Sequence, residues 1–95
     1  MTTAIVLVEA ERDVMTTLGG ALAGIDGVAE AYSVTGEWDF VAVVRVRKHE
    51  QLADVVTATI GQLAGVTRTQ TMVAFEVFSR HDLEALFSVG EGPSA

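Results

Sequence analysis

Four stretches of the chain have the apolar, β-branched composition and two-residue alternation typical of β-strands. Ala4–Ala10 is apolar on both alternating faces, which indicates a strand in the middle of a sheet. Val28–Thr35 and Phe40–Arg47 flank a short polar loop, so we predict that they are neighbouring strands of a hairpin. The pattern places a fourth strand at Thr67–Ser79.

Two further stretches carry apolar residues on one helical face. In the first stretch these residues are Met15, Leu18, Leu22 and Ile25. In the second stretch they are Leu52, Val55, Val56, Ile60 and Leu63. A glycine that tolerates a left-handed conformation follows each helix, at Gly27 and at Gly65. The pair Gly19-Gly20 inside the first helix indicates that this helix approaches the sheet closely.

The order of these elements is βαββαβ. A helix exit through Gly-Val into a strand occurs in Leu22–Val28 and again in Leu63–Val66, about one βαβ unit apart. Two interleaved units of this kind form the ferredoxin-like sandwich, an α+β fold with a four-stranded antiparallel sheet and two helices on one face. We predict this fold for residues 1–79. For residues 80–95 we predict a short C-terminal helix and a flexible tail.

The sheet is predicted to have a second apolar face. Both helices of the sandwich cover the same side, and the opposite side of an antiparallel sheet normally carries polar residues at alternate positions. Here the two central strands are apolar at nearly all positions. Because large exposed apolar patches mark interaction surfaces, we expect a homodimer through the open faces of two sheets. The alternative is that these residues only satisfy strand propensity on a partly wet face.

Composition and charge favour contacts between chains and argue against binding to nucleic acid or spanning a membrane. The 95 residues build only a small core, yet 49% of them are hydrophobic and the mean hydropathy is +0.39, which favours contacts between chains. A formal net charge of −7 argues against direct binding to nucleic acid. The chain has no cysteine, no secretory signal pattern and no apolar run long enough for a membrane helix, so we expect a cytoplasmic protein.

Three short motifs occur together along the chain. Gly27-Val28 precedes the second strand, Thr35–Phe40 reads Thr-Gly-Glu-Trp-Asp-Phe in the hairpin, and Leu63–Thr71 reads Leu-Ala-Gly-Val-Thr-Arg-Thr-Gln-Thr. At this spacing they resemble the effector-binding domain of the Lrp/AsnC family of leucine-responsive and asparagine regulators. This domain is also called RAM, for regulation of amino-acid metabolism.

The resemblance covers residues 4 to about 79. Ala64 stands where the family often has proline, and no helix-turn-helix domain precedes the first strand, so we interpret the chain as a stand-alone RAM protein. The resemblance implies a homodimer that assembles into an octamer or a decamer, with a small amino acid bound between dimers. It also implies regulation of transcription through full-length Lrp/AsnC regulators, without a cofactor and without direct contact to nucleic acid or membrane.

The resemblance also assigns a binding site, residue by residue. The effector loop of the family corresponds to Gly36, Glu37, Trp38 and Asp39, and the facing part of the last strand to Thr69, Thr71, Met72 and Val73.

A free amino acid presents an ammonium and a carboxylate to such a site. Asp39 can pair with the ammonium. Backbone N–H groups around Gly36 and the threonine hydroxyls can hold the carboxylate, with Arg68 as a further partner. Trp38 can form an apolar wall. In the alternative interpretation the loop is only a turn whose Asp39 bonds its own backbone, the threonines are strand formers, and Met72 is packing.

The remaining polar residues indicate no catalytic chemistry. Glu9 is expected at a strand exit, exposed or paired with Arg12. His49 and His81 lack metal-ligand spacing, so we predict surface positions, no metal site and no catalytic residue. The alternative function is a small dimeric enzyme of monooxygenase type, which the fold alone does not exclude. Haem-degrading relatives of that type use an Asn/Trp/His set, and this chain contains no asparagine.

Overall fold

The computed structural model describes residues 1–78 and residue 80. The strands are β1 (Thr2–Ala10), β2 (Val28–Ser33), β3 (Phe40–Val46) and β4 (Val66–Val73). The helices are α1 (Leu18–Ala23) and α2 (Gln51–Ala53). A 3-10 turn at Arg12–Val14 precedes α1, whereas α2 continues as a π-helical segment, Asp54–Thr59, and a 3-10 turn, Ile60–Gln62. This order confirms the predicted βαββαβ arrangement.

The strands form one antiparallel sheet in the order β2-β3-β1-β4. β1 lies in the middle, where Val8 is opposite Phe40 of β3 and opposite Thr69 of β4. The predicted ferredoxin-like fold class is therefore confirmed. β2 and β4 are the edges of the sheet, and the hairpin between β2 and β3 lies beside the carboxyl end of β1.

The core lies between the helices and one face of the sheet. Alternate residues of β1 and β3 bury their side chains against the two helical segments. From the strands these are Ala4, Val6, Val8, Phe40, Ala42, Val44 and Val46. From the helical segments they are Leu18, Leu22, Leu52, Val55 and Ile60. A Cβ at Gly19 would lie 3.3 Å from Cε1 of Phe40, whereas one at Gly20 would meet no atom within 4 Å. The close approach predicted from the glycine pair is thus due to Gly19.

Two glycines connect the helical segments to the strands that follow. Gly27 and Gly65 have φ angles of 98° and 90°, a region that glycine adopts without steric cost. Their carbonyl oxygens accept hydrogen bonds from the backbone of Arg45 and of Glu11, both at 2.8 Å. A Cβ at Gly65 would lie 2.6 Å from both methyl groups of Val14, so the packing as well as the backbone requires glycine there.

Several predicted boundaries were wrong. β2 ends at Ser33 rather than Thr35, and β4 ends at Val73 rather than continuing to Ser79. Ala74 N still donates to the carbonyl of Thr3, but only Thr2 and Met1 remain beyond Thr3 in this register, so the residues after Glu76 have no strand to pair with. The side chain of Phe75 is fully exposed. The predicted C-terminal helix and tail lie outside the described residues.

The helices are also less regular than the sequence pattern predicted. The α-helical part of the first is limited to Leu18–Ala23, although Met15 and Ile25 still pack against the core. The second departs from α-helical geometry through Asp54–Thr59, where β-branched residues with restricted side chains predominate. None of the helices in the described part of the chain has the length and apolar character needed to cross a bilayer.

The centre of the sheet face opposite the helices is apolar, as predicted, whereas Glu30, Arg45 and Gln70 also lie on this face. Ile5, Leu7 and Val41 lie on it half-buried, in alternation with the core residues of the same strands. Tyr32 and Met72, on the edge strands, extend the same face and are 49% and 45% exposed. Within the described residues no helix covers this surface, which we call the open face.

Candidate functional site

The hairpin loop between β2 and β3 forms the centre of the candidate site. The backbone N–H of Val34 donates to the carbonyl of Asp39 at 3.0 Å and closes the loop. Gly36 lies exposed at its tip with a φ of 108°. A Cβ there would meet no atom within 4 Å, so the backbone conformation, and not packing, favours glycine at this position.

Asp39 attaches the loop to the end of β1. Its backbone N–H donates to the carbonyl of Val8 at 2.9 Å, and its Oδ2 accepts a hydrogen bond from the backbone N–H of Ala10 at 2.9 Å. The alternative of a bond to the local turn backbone was wrong, because the partner of this carboxylate is distant in sequence. Its Oδ1 accepts no hydrogen bond from the described residues, so an ammonium can still pair with that oxygen.

Arg68 attaches the same loop to β4. Its Nη2 lies 3.4 Å from Oε2 of Glu9 and 3.3 Å from Oε2 of Glu37, and its Cζ lies 4.2 Å from the centroid of the Trp38 ring. The hydroxyl of Thr67 donates to Glu9, with Oε1 at 3.1 Å. These five residues are called the Arg68 cluster below. The loop tip is therefore held by a guanidinium that combines two ion pairs with a cation–π contact.

The partner that we predicted for Glu9 was wrong. Glu9 pairs with Arg68 and not with Arg12, because it lies directly opposite Arg68 in the β1–β4 ladder. Opposite charges at facing positions of neighbouring strands stabilise the pair. The sequence contained one signal for this contact, namely a carboxylate at the end of an otherwise apolar strand. The strand register needed to identify its partner was not available from that pattern.

The structure brings together only part of the predicted site. Glu37, Trp38 and Asp39 meet the ends of β1 and β4, whereas the four predicted residues of β4 alternate between its two faces. Thr69, Thr71 and Val73 lie opposite the core residues Val8, Val6 and Ala4, and Met72 lies opposite Ile5 on the open face. No hydrogen bond or ion pair in residues 1–78 joins these four to the loop. One chain by itself therefore does not assemble the complete predicted set.

Among the described residues, Tyr32 is the titratable group with a displaced pKa. The interaction of the phenol with the side chain of Glu30 is the main cause, and it raises the pKa of Tyr32 above its ordinary value of 10.0. Glu30 and Tyr32 face Val43 and Val41 in the register of β2 with β3, so both lie on the open face. The partner of Tyr32 is thus a neighbour on its own strand, and not the loop beside it.

The described residues contain no arrangement of side chains suited to binding a metal ion. In the described ranges, no group of three His, Asp or Glu side chains is arranged to hold a metal ion. The polar groups of the Arg68 cluster are instead paired with one another, at partly exposed positions. The donors and acceptors of this arrangement are accessible to solvent.

Comparison with known proteins identifies relatives of most of the described region. A family model described as the Lrp/AsnC ligand binding domain matches residues 3–83. The HTH-type transcriptional regulator PF0250 of Pyrococcus furiosus is 36% identical over 77 residues, which are 78% of this chain and 51% of the regulator. The chain thus spans about half the length of this curated relative.

Solved structures show the same fold. The crystal structure of TTHA0845 from Thermus thermophilus has a TM-score of 0.79 and 48% sequence identity, covering 84% of this chain and 100% of that one. The complex of the transcriptional regulator NMB0573 from Neisseria meningitidis with L-Met has a TM-score of 0.74, covering 83% of this chain and 53% of that one. At 16% identity the second likeness shows the fold alone.

Proposed function

The chain belongs to the Lrp/AsnC ligand-binding domain family, and we propose on that premise that it is a non-catalytic regulatory module that binds a small amino acid. Its relative PF0250 is a transcriptional regulator. In this proposal the chain forms homo-oligomers and modulates transcription through Lrp/AsnC-type partners. The ligand binds at the loop Gly36–Asp39.

The observation that carries this proposal is the way the loop is held. Asp39 and Arg68 fix its two sides to the ends of β1 and β4, while the tip at Gly36 stays open to solvent. A carboxylate oxygen of Asp39, backbone N–H groups at the tip and a guanidinium thus lie around one short segment. These are the groups that complement a zwitterion, whose ammonium and carboxylate need an acceptor and donors respectively.

A second copy of the chain completes the proposed site. Thr69, Thr71, Met72 and Val73 make no polar contact with the loop of their own chain, so in this proposal they face the loop of a neighbouring dimer. The half-buried apolar residues of the open face supply the dimer contact, because apolar surface of this kind gains free energy when two copies exclude water from it. Octamers or decamers then follow from further association of dimers.

Amino acids are the ligand class to test first. The regulator NMB0573, which shares the fold, was crystallised with L-Met. No contact among the described residues favours a dimeric enzyme over this proposal, whereas the family relationship favours regulation. Because a site between copies couples ligand occupancy to assembly, the bound amino acid is expected to change the oligomer distribution.

Isothermal titration calorimetry with the twenty standard amino acids tests the proposal. We expect saturable binding of at least one of them to the wild-type protein, and weaker binding to Trp38→Leu, which loses the aromatic wall of the loop. Thr16→Ala serves as the matched control, because Thr16 is exposed before α1 and outside the proposed site. Absence of binding to the wild-type protein, or equal binding to Trp38→Leu, would contradict the proposed site.

A further inference from the structure

The Arg68 guanidinium uses only part of its hydrogen-bonding capacity. Both carboxylates of the cluster contact the same nitrogen, Nη2, at 3.3 and 3.4 Å. A guanidinium has five N–H donors, carried by Nε, Nη1 and Nη2. Among the described residues, Nη1 and Nε have no hydrogen-bond acceptor. Each edge of the fork pairs Nη2 with one of these two nitrogens, so each edge retains an unused donor.

The cluster holds the guanidinium in a defined position. The ring of Trp38 lies 4.2 Å from its Cζ, and Glu9 contacts Nη2 from β1. Glu9 is itself held, because Oγ1 of Thr67 lies 3.1 Å from both its carboxylate Oε1 and its backbone carbonyl oxygen, which share the single hydroxyl hydrogen. Pre-orientation of this kind lowers the conformational entropy that a ligand must remove when it binds.

The contact from Glu37 is the replaceable one. The side chain of Glu37 is 73% exposed, whereas that of Glu9 is 39% exposed and has Thr67 as a second partner. Ion pairs between exposed side chains contribute little free energy, so a competing carboxylate can take the place of Glu37 at small cost. A carboxylate that binds a whole edge of the fork makes two parallel hydrogen bonds instead of the single contact that Glu37 makes.

We propose that Arg68 is the carboxylate anchor of the amino-acid site, binding the ligand through one edge of its guanidinium in place of Glu37. A threonine hydroxyl or an ammonium cannot reproduce this planar, two-bond geometry. The inference rests on the proposed function and deepens it. It assigns the ligand carboxylate to Arg68 rather than to Thr69 and Thr71, whose side chains share the face of the core residues.

The anchor also defines the ligand class. An α-amino acid with a free carboxylate binds the guanidinium edge, and its ammonium lies close enough to pair with an acidic group of the same loop. Glu37 becomes such a group once the ligand carboxylate has replaced it on Arg68. An amino-acid amide retains the ammonium and the side chain but loses the anion. The anchor therefore predicts discrimination between an acid and its amide.

The experiment compares L-methionine, L-leucine and L-phenylalanine with their C-terminal amides, followed by the fluorescence of Trp38, the single tryptophan. Hydrogen bonds to charged groups predict that the wild-type protein binds the acids about ten- to a hundredfold more tightly than the amides. Arg68→Ala should bind the acids as weakly as the amides. Arg68→Lys should recover only part of the difference, since it restores the charge without the fork.

Arg47→Ala is the matched control, since Arg47 is an exposed arginine beyond the far end of β3. It loses the same charge and should bind like the wild type. Circular dichroism should show Arg68→Ala folded, because partly exposed ion pairs contribute little to stability. Should Arg68→Ala bind the acids as tightly as the wild type, the anchor is overturned and the proposed function stands.

A further experiment tests the carboxylate anchor separately if the amino-acid site proves wrong. If no amino acid binds the wild-type protein, the proposed function fails, and sodium butyrate is titrated against sodium chloride at equal ionic strength. A saturable change in Trp38 fluorescence with butyrate, lost in Arg68→Ala, then supports a carboxylate anchor for a ligand other than an amino acid. No change with butyrate overturns the anchor as well.

Discussion

The hydrogen bond between Asp39 and Ala10 gives the loop a structural role that can be measured without a ligand. The bond is 2.9 Å long, its acceptor is a carboxylate, and both residues are half-buried. Asp39→Ala removes the acceptor and leaves the backbone N–H of Ala10 without its partner. Hydrogen bonds to charged groups contribute roughly 1.5–3 kcal/mol, so we expect a loss of about 2 kcal/mol in the free energy of unfolding.

Two further substitutions calibrate that value. Asp39→Asn keeps an acceptor oxygen but loses the charge, and should cost about 1 kcal/mol. Glu37→Ala removes an exposed carboxylate from the same loop, and its ion pair with Arg68 should contribute less than about 1 kcal/mol. The expected order of stability is therefore wild type, Glu37→Ala, Asp39→Asn and Asp39→Ala.

Urea unfolding at one fixed protein concentration measures these differences, with circular dichroism and Trp38 fluorescence as parallel probes. A loss of about 2 kcal/mol also corresponds to a decrease in Tm of roughly 8–16 °C for a domain of this size. If Asp39→Ala unfolds at the same urea concentration as Glu37→Ala, the loop is not attached through this bond. The result also determines how a binding defect of Asp39→Ala is interpreted, because destabilisation alone can produce one.

Particular contacts lead to three further predictions. Gly65→Ala should lose roughly 2–5 kcal/mol of stability in urea unfolding, because it combines backbone strain with a clash against Val14. Gly36→Ala has the strain without the clash and should lose only about 1–2 kcal/mol. Equal losses in the two variants would contradict the packing argument. The single tyrosine should titrate above pH 10.0 in an ultraviolet absorbance titration and move back towards 10.0 in Glu30→Gln. Since its folded-state pKa is raised, its contribution to stability is present below pH 10.0 and is lost as the pH rises through the folded value; an unchanged titration in Glu30→Gln would contradict the assigned cause. Leu7→Glu should place a charge on the open face and reduce the mass measured by sedimentation velocity to that of a monomer. Thr16→Glu should leave the assembly unchanged, because Thr16 is exposed before α1. A wild-type protein that is itself monomeric would refute the dimer.

The sequence pattern predicted the fold well because the spacing of the hydrophobic residues and the positions of the glycines indicate the same elements throughout the chain. Alternation in β1 and β3, helical spacing in the two stripes and a glycine after each helix all require the same arrangement. The boundaries of β4 were wrong for a reason outside the local pattern. Phe75–Phe78 retains strand-like composition, but the register of β1 with β4 leaves only Thr2 opposite Phe75 and no strand residue opposite Val77 or Phe78.

The candidate site was less accessible to sequence reasoning. The loop itself could be recognised, because Gly36 and Asp39 carry its motif. The partners of its side chains depend on which residues of β1 and β4 lie beside it, and that register is a tertiary property. Thus the pair of Glu9 with Arg68 and the bond from Ala10 to Asp39 were both missed.

The most direct test of the account is an amide chemical-shift map of the isotope-labelled protein during titration with amino acids. The resonances of the Gly36 amide and of the Trp38 indole N–H should shift saturably, since the ligand is proposed to lie at this loop beside Arg68. The amides of Thr57 and Ala58, exposed in the second helical segment, should stay in place. Saturable shifts confined to other regions, or no shifts with any of the twenty amino acids, would contradict the claim that this loop is an amino-acid binding site.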